Sequence, residues 1–191
     1  MVAATEAERV HAYGEAAALL ERALELWDRV EDAAARADSD RVAILARAAA
    51  AHGMEDDHVR QETLLRRALD EVDPNAAPAR AAALMERLHR SQWNLNRQDE
   101  SMATLERALE LLPDEPGPER AALLSARAKT LMLRSRYHAA CDASREAIAV
   151  ARAVGEPATS RPRVERWTTP WTASSSVVTT ARASRWWPRS A

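Results

Sequence analysis

Residues 19–26 read LLERALEL, and nearly the same string returns as LLRRALDE at 64–71 and as TLERALEL at 104–111. A weaker copy, ASREAIAV, lies at 143–150. The alanine shared by the four copies moves from 23 to 68, 108 and 147, in steps of 45, 40 and 39 residues. Self-similarity at this interval, in a helical pattern, is typical of arrays of helix pairs. The repeat therefore predicts an all-α fold, an α-solenoid of stacked helix hairpins.

The residues around each copy support hairpins. Apolar residues recur at the spacing of one helix face, as Leu20, Ala23, Leu24 and Trp27 do in the first copy, and this predicts that Trp27 packs in the interior. Different helices are predicted between the copies, at 41–51, 78–95 and 118–133. Residues that favour the start of a helix lie just before these helices or the helix of a copy, or at its first turn. They are Ser39, Asp40, Asp56, Asp57, Pro78 and Pro118. Breakers at 73–75 and 113–117 separate successive hairpins, and Gly155 with Pro157 ends the last helix.

Two regions of unlike composition follow each other along the chain. Residues 1–157 are predicted to form one helical repeat domain. Residues 2–11 are predicted to be only the last turns of its first helix. Residues 158–191 contain no leucine, four tryptophans and six arginines. We interpret this tail as disordered or non-native, for example a shifted reading frame. An Arg/Trp-rich tail that binds an anionic surface is the alternative.

Charge and composition exclude several classes of protein. Residues 1–157 carry 21 Arg and Lys against 28 Asp and Glu, whereas the tail carries six against one. An acidic body argues against direct nucleic-acid binding, which needs clustered cations. No secretory segment or long apolar run is present, so a cytoplasmic protein without membrane contact is expected. All cationic residues but Lys129 are arginine, which indicates a GC-rich, bacterial origin.

The reactive side chains do not form a recognisable catalytic or cofactor set. His52, Asp56, Asp57 and His58 could ligate a metal ion, but a polar loop between helices explains them better. The lone Cys141 has alanines beside it and is predicted to be buried. Adjacent Glu/Arg pairs such as Glu21 with Arg22 diverge by about 100° on a helix and are predicted to lie on solvated faces. We therefore expect no catalytic residue, metal or cofactor, and an enzyme is the least supported class.

Residues 105–114, LERALELLPD, resemble the second helix and closing turn of a tetratricopeptide repeat. The steps of 39 to 45 exceed the usual repeat of about 34 residues and are similar to the long repeats of MalT-type, LuxR-family ATP-dependent transcription regulators. Residues 11–30 are similar to the segment after the ATPase module in actinobacterial members. The resemblance implies a right-handed solenoid. His89 and Gln92 depart from the glycine and tyrosine of the repeat, and no G-x-x-x-x-G-K-[ST] motif occurs.

The resemblance also implies a binding groove lined by the first helix of each hairpin. In that register six residues would face the groove: Glu86, Arg90, Trp93, Ser125, Lys129 and Met132. Cations beside an aromatic or methionine side chain suit a peptide or an acidic small ligand. The alternative is that some of these residues pack between hairpins.

The predicted function is binding without catalysis. The repeats would serve as the sensor or coupling region of a LuxR/MalT-like regulator, and would relay the binding of a protein, peptide or small effector to modules that this sequence lacks. Uncapped repeat ends would favour self-association. The alternative is a free-standing tetratricopeptide adaptor that assembles protein complexes.

Overall fold

The computed structural model describes residues 1–155, and within them every regular element is a helix. The α-helices in chain order are α1 (Val2–Arg9), α2 (Tyr13–Leu26), α3 (Ala33–Ala37), α4 (Arg41–Met54), α5 (His58–Asp70), α6 (Pro78–Asn94), α7 (Gln98–Leu111), α8 (Pro118–Leu133) and α9 (Tyr137–Ala153). One 3-10 turn, Trp27–Arg29, follows α2. The all-α class is thus confirmed for this part of the chain. The tail predicted at 158–191 lies outside the described residues.

The same three-residue turn closes four hairpins in residues 1–155: α1/α2, α4/α5, α6/α7 and α8/α9. The middle residue of each turn has a φ between 58° and 61°, and these residues are His11, Asp56, Asn96 and Ser135. The next amide donates to the carbonyl five residues earlier, at 2.8 to 3.0 Å, in the manner of a Schellman motif. The turns are 45, 40 and 39 residues apart. The repeat in the sequence is therefore a repeat in the backbone.

Helices begin where the sequence predicts. Oδ1 of Asp40 accepts a hydrogen bond from the amide of Ala43 at 2.8 Å, and Oδ1 of Asp57 accepts one from the amide of Arg60 at 3.0 Å. Pro78 and Pro118 are the first residues of α6 and α8, where a fixed φ suits the helix and the missing N–H leaves no bond unmade. Gly155 follows α9 with a φ of 76°. These predicted starts and the predicted stop are confirmed.

Met1–Glu115 form one compact unit that contains α1 to α7. Within it, α1 packs on α2, α2 on α4, α4 on α5, α5 on α6 and α6 on α7. The largest side chains that are fully buried in this unit are leucines and one isoleucine, among them Leu20, Ile44, Leu45, Leu64, Leu65 and Leu105. Leu64 and Leu65 are adjacent and point about 100° apart on a helix. Because both are buried, α5 is covered on more than one side.

A buried acid ties α5 to the turn between α6 and α7. The side chain of Glu62 is 7% exposed, and Nη1 of Arg97 lies 2.9 and 3.1 Å from its two carboxylate oxygens. Nη2 of Arg66 lies 2.7 Å from Oε1 of the same carboxylate. Two arginines offset the charge of the buried carboxylate, as burial of an ion requires. This cluster joins the hairpin α4/α5 to the hairpin α6/α7.

The first connection between hairpins, residues 27–40, is longer than the second, residues 71–77. It contains the 3-10 turn and α3, which the sequence pattern does not predict. Asp32 and Asp38 flank α3 and both have positive φ values, of 55° and 50°. Trp27 and Ala37 are partly buried and pack against the core of the unit. The predicted packing of Trp27 is confirmed.

A second compact unit begins at Pro116, within the predicted breaker at 113–117. In its described part α8 and α9 pack as a hairpin, and Ala140, Ala143 and Ala147 form the buried stripe of α9. Cys141 is exposed, because it points about 100° away from Ala140 on the helix. The predicted burial of this cysteine is wrong.

Across residues 1–155, no helix has the combination of length and apolar character that would let it traverse a lipid bilayer.

Candidate functional site

A cleft of about 370 Å³, the first cleft, lies between α4, α5 and α6. Small residues of α4 (Ala49, Ala50 and Gly53) form one wall. Polar residues of α5 and α6 form the others, namely His58, Gln61, Arg87, Arg90 and Asn94. Volumes of this size are typical of ligand sites, in which a few polar groups fix orientation over an apolar surface.

Gly53 makes room for one of these polar groups. A Cβ at this position would lie 2.3 Å from Nε2 of Gln61 and 2.8 Å from its Cδ. Any larger residue would therefore displace the Gln61 amide. Oε1 of that amide lies 3.1 Å from Nδ1 of His58, so the glycine lets α4 approach an ordered amide and imidazole pair at the cleft wall.

The two arginines of the first cleft differ in their electrostatic state. Nη2 of Arg90 lies 2.7 Å from Oε2 of Glu86, which neutralises its charge. Arg87 is exposed and donates a long hydrogen bond of 3.4 Å to the carbonyl of Ala46. Among residues 1–155, no carboxylate lies within ion-pair distance of Arg87. The cleft therefore presents one uncompensated guanidinium, a group that binds carboxylates in bidentate geometry.

Three of the six predicted groove residues lie on α6. Arg90 lines the first cleft, Glu86 holds the guanidinium of Arg90, and Trp93 is half-buried. Sequence reasoning missed Arg87, Gln61 and Asn94. Arg87 could have been found, because it precedes Arg90 by three residues and so shares its helix face.

The other three predicted groove residues lie on α8, in the second compact unit. Ser125 is half-buried, and its Oγ donates to the carbonyl of Ala121 at 2.9 Å. Lys129 is exposed and Met132 is half-buried. A groove that joins these residues to those of α6 stays a prediction.

Glu21 departs from its predicted place on a solvated face. Its side chain is 26% exposed, and its Oε1 accepts from Nε of Arg60 at 2.7 Å and lies 3.0 Å from Nε2 of His52. The hydrogen bond from Arg60 is the main cause that lowers the pKa of Glu21, and His52 adds to it. The carboxylate thus links α2 to α4 and α5, and the predicted solvated role is wrong for Glu21.

The histidines considered as metal ligands have other partners. Besides Glu21, His52 approaches Asp57, with 3.5 Å between Nδ1 and Oδ2. His58 contacts Gln61, and its Nε2 lies 3.8 Å from Oδ1 of Asp56. Within the described part of the chain, no three His, Cys, Asp or Glu side chains converge to hold a metal ion.

His89 and Gln92, which replace the glycine and tyrosine of a tetratricopeptide helix, hydrogen-bond between α6 and α7. Nδ1 of His89 lies 2.8 Å from Oγ of Ser101, and that hydroxyl donates to the carbonyl of His89 at 3.0 Å. Oγ1 of Thr104 donates to Oε1 of Gln92 at 2.8 Å. Ser101 is fully buried. This serine and histidine pair is closed to substrate and stabilises the hairpin.

No protein-family model matches the sequence, and no curated protein matches it.

Proposed function

We propose that this chain is a non-catalytic protein-interaction region, a right-handed α-solenoid of tetratricopeptide-like hairpins whose first cleft binds an acidic peptide segment. The observation that carries the proposal is the uncompensated guanidinium of Arg87 beside the small residues of α4. A carboxylate at Arg87 could also accept from the amides of Gln61 and Asn94, while Ala49, Ala50 and Gly53 leave space for a small apolar neighbour. The four identical turns, at steps of 45, 40 and 39 residues, support the repeat architecture.

A matched peptide pair tests this function. Fluorescence polarisation would compare a labelled hexapeptide, Ala-Leu-Glu-Glu-Leu-Ala, with its twin in which glutamine replaces both glutamates. We expect the acidic peptide to bind at least about tenfold more tightly, since charge-assisted hydrogen bonds to arginine are worth about 1.5–3 kcal/mol. Added NaCl should weaken this binding, because the cleft is open to solvent.

The variant Arg87→Ala should reduce affinity for the acidic peptide about tenfold. Arg67→Ala on α5 is the control, because Arg67 is also exposed, has no carboxylate partner among residues 1–155 and does not line the first cleft. Equal binding of the two peptides, or equal effects of the two variants, would refute the proposal.

The biological setting we propose is the sensor or coupling region of a LuxR/MalT-like transcription regulator. Occupancy of the cleft would change how neighbouring hairpins pack, and a peptide or small effector could supply that signal. The support is the repeat length and the resemblance of residues 11–30. A free-standing adaptor is the second candidate. The flanking coding sequence separates them: a nucleotide-binding module upstream and a helix-turn-helix downstream favour the regulator, and their absence favours the adaptor.

A further inference from the structure

A second cleft, of about 400 Å³, lies between α5, α6 and α7. Leu69, Met85 and Leu88 give it an apolar lining, and Asp70 of α5 and Arg107 of α7 stand at its walls. It shares no lining residue with the first cleft. The function proposed above does not use it.

The repeat provides an internal comparison for this cleft. In the preceding junction, between α2, α4 and α5, the positions that match Leu69, Met85 and Thr104 are Leu24, Leu45 and Leu64. Those three leucines are 6%, 0% and 0% exposed, whereas Leu69, Met85 and Thr104 are only half-buried. The matched side chains are therefore buried between α2, α4 and α5 but partly exposed between α5, α6 and α7.

The connections that follow α2 and α5 also differ, in length and at one matched repeat position. Trp27 occupies the repeat position that Val72 occupies 45 residues later. Together with Ala37, Trp27 packs against the core cluster that contains Leu24, Leu45 and Leu64. The connection 71–77 is shorter and carries no tryptophan. Val72 itself lines the second cleft, so the cleft lies at a repeat position that carries an indole one repeat earlier.

The charged residues at the walls of the second cleft, Asp70 and Arg107, suit a tryptophan that has an acidic neighbour. Within the described part of the chain, neither Asp70 nor Arg107 has an ion-pair partner. Asp70 could accept the indole N–H, which needs an acceptor when buried. Arg107 could hold a carboxylate next to the tryptophan, and the first connection itself pairs Trp27 with Asp28, whose Oδ1 lies 3.5 Å from Nη1 of Arg41.

We propose that the second cleft binds a tryptophan side chain, followed by an acidic residue, that a partner protein presents. The indole would lie on Leu69 and Leu88 and contact the sulfur of Met85, an arrangement that aromatic rings favour. The guanidinium of Arg107 would contact the ring or the adjacent carboxylate. The site would thus take from a partner what the first connection supplies within the chain.

NMR of the full chain with ¹³C-labelled methionine methyl groups tests the site, with the dipeptide N-acetyl-Trp-Asp-amide as the probe. The methyl signal of Met85, assigned with Met85→Leu, should shift in a saturable manner. N-acetyl-Ala-Asp-amide should not produce this shift. Arg107→Ala should weaken binding of the tryptophan probe about two- to fivefold. Arg67→Ala, which removes an exposed arginine that lines neither cleft, should leave the affinity of the probe unchanged.

Val72→Trp supplies the indole from within the chain, at the position equivalent to Trp27. In this variant the Met85 signal should already be displaced by the aromatic ring, and the probe should no longer bind. If Val72→Trp does not fold, the probe titrations of the native chain and of Arg107→Ala decide. A Met85 signal that does not respond to the tryptophan probe, or responds equally to the alanine probe, would overturn the proposal.

Discussion

Nε of Arg60 lies 2.7 Å from Oε1 of Glu21, although 39 residues separate them in the sequence. With His52, 3.0 Å from the same oxygen, this bond connects α2 to the hairpin α4/α5. The carboxylate is partly buried, so its attraction to Arg60 is screened less than that of a surface pair. Because Glu21 must be ionised to form this pair, the packing of α2 on α4 and α5 depends on pH.

We expect Glu21→Gln to lower the free energy of unfolding by about 0.5–1 kcal/mol at neutral pH. The hydrogen bond from Arg60 lowers the pKa of Glu21 in the folded state, so its stabilisation is present above the unfolded pKa of about 4.3 and is lost as the pH falls through the folded value. Urea denaturation between pH 7 and pH 3 should show the difference from the native chain disappear in acid. Glu25→Gln, on the exposed side of α2, should show little effect at any pH.

The cluster at Glu62 predicts a larger effect at a buried position. Glu62→Gln keeps the shape of the side chain but removes the charge that faces Arg66 and Arg97. We expect the free energy of unfolding to fall by about 1–3 kcal/mol, because the hydrogen bonds from both arginines are no longer assisted by an opposite charge. Urea denaturation measures it, with the exposed Glu110→Gln as control. Equal stability of the two variants would show that the buried ion pairs contribute nothing.

Gly53→Ala separates stability from binding. Alanine is favoured over glycine in a helix by about 0.5–1 kcal/mol, but its Cβ would displace the amide of Gln61 from the cleft wall. We expect the free energy of unfolding to change by less than about 1 kcal/mol, while affinity for the acidic hexapeptide falls. Thermal denaturation and fluorescence polarisation measure the two quantities. Unchanged affinity would show that the Gln61 amide does not contact the peptide.

The positive-φ turn residues predict a graded response to glycine. A non-glycine residue in this region costs about 1–2 kcal/mol, and asparagine tolerates it better than serine. Ser135→Gly should therefore stabilise the hairpin α8/α9 by about 0.5–1 kcal/mol. Asn96→Gly should stabilise α6/α7 less. Thermal midpoints of the two variants give the comparison, and the reverse order would contradict the backbone explanation.

Local signals in the sequence were enough to predict the hairpins. Asp40 and Asp57 cap helices and Pro78 and Pro118 open them, because these effects depend on neighbours within four residues. The short helix α3 was missed, since no capping side chain marks it and residues with positive φ flank it. The exposure of Cys141 was also missed, although the stripe of Ala140, Ala143 and Ala147 places it on another face.

The candidate site was less predictable, because it depends on contacts between helices. Arg90 was found from an assumed register, and Arg87 shares its face. Gln61 and Gly53 could not be found, since their proximity arises only where α4 meets α5. Glu21 likewise acquires its role from Arg60 and His52, which come from two other helices. Pattern within one helix predicts which face is polar, but not which charges on that face remain unpaired.

The recurring turn also bears on how such a chain can change in length. The residues on either side of each positive-φ residue have nearly the same dihedral angles in all four turns. A chain cut at one of these residues and rejoined at another would therefore keep the same turn conformation. Recombination between two turns could add or delete a whole hairpin without creating a new connection. The connection after α2 shows the complementary freedom, because residues inserted between hairpins leave every turn intact.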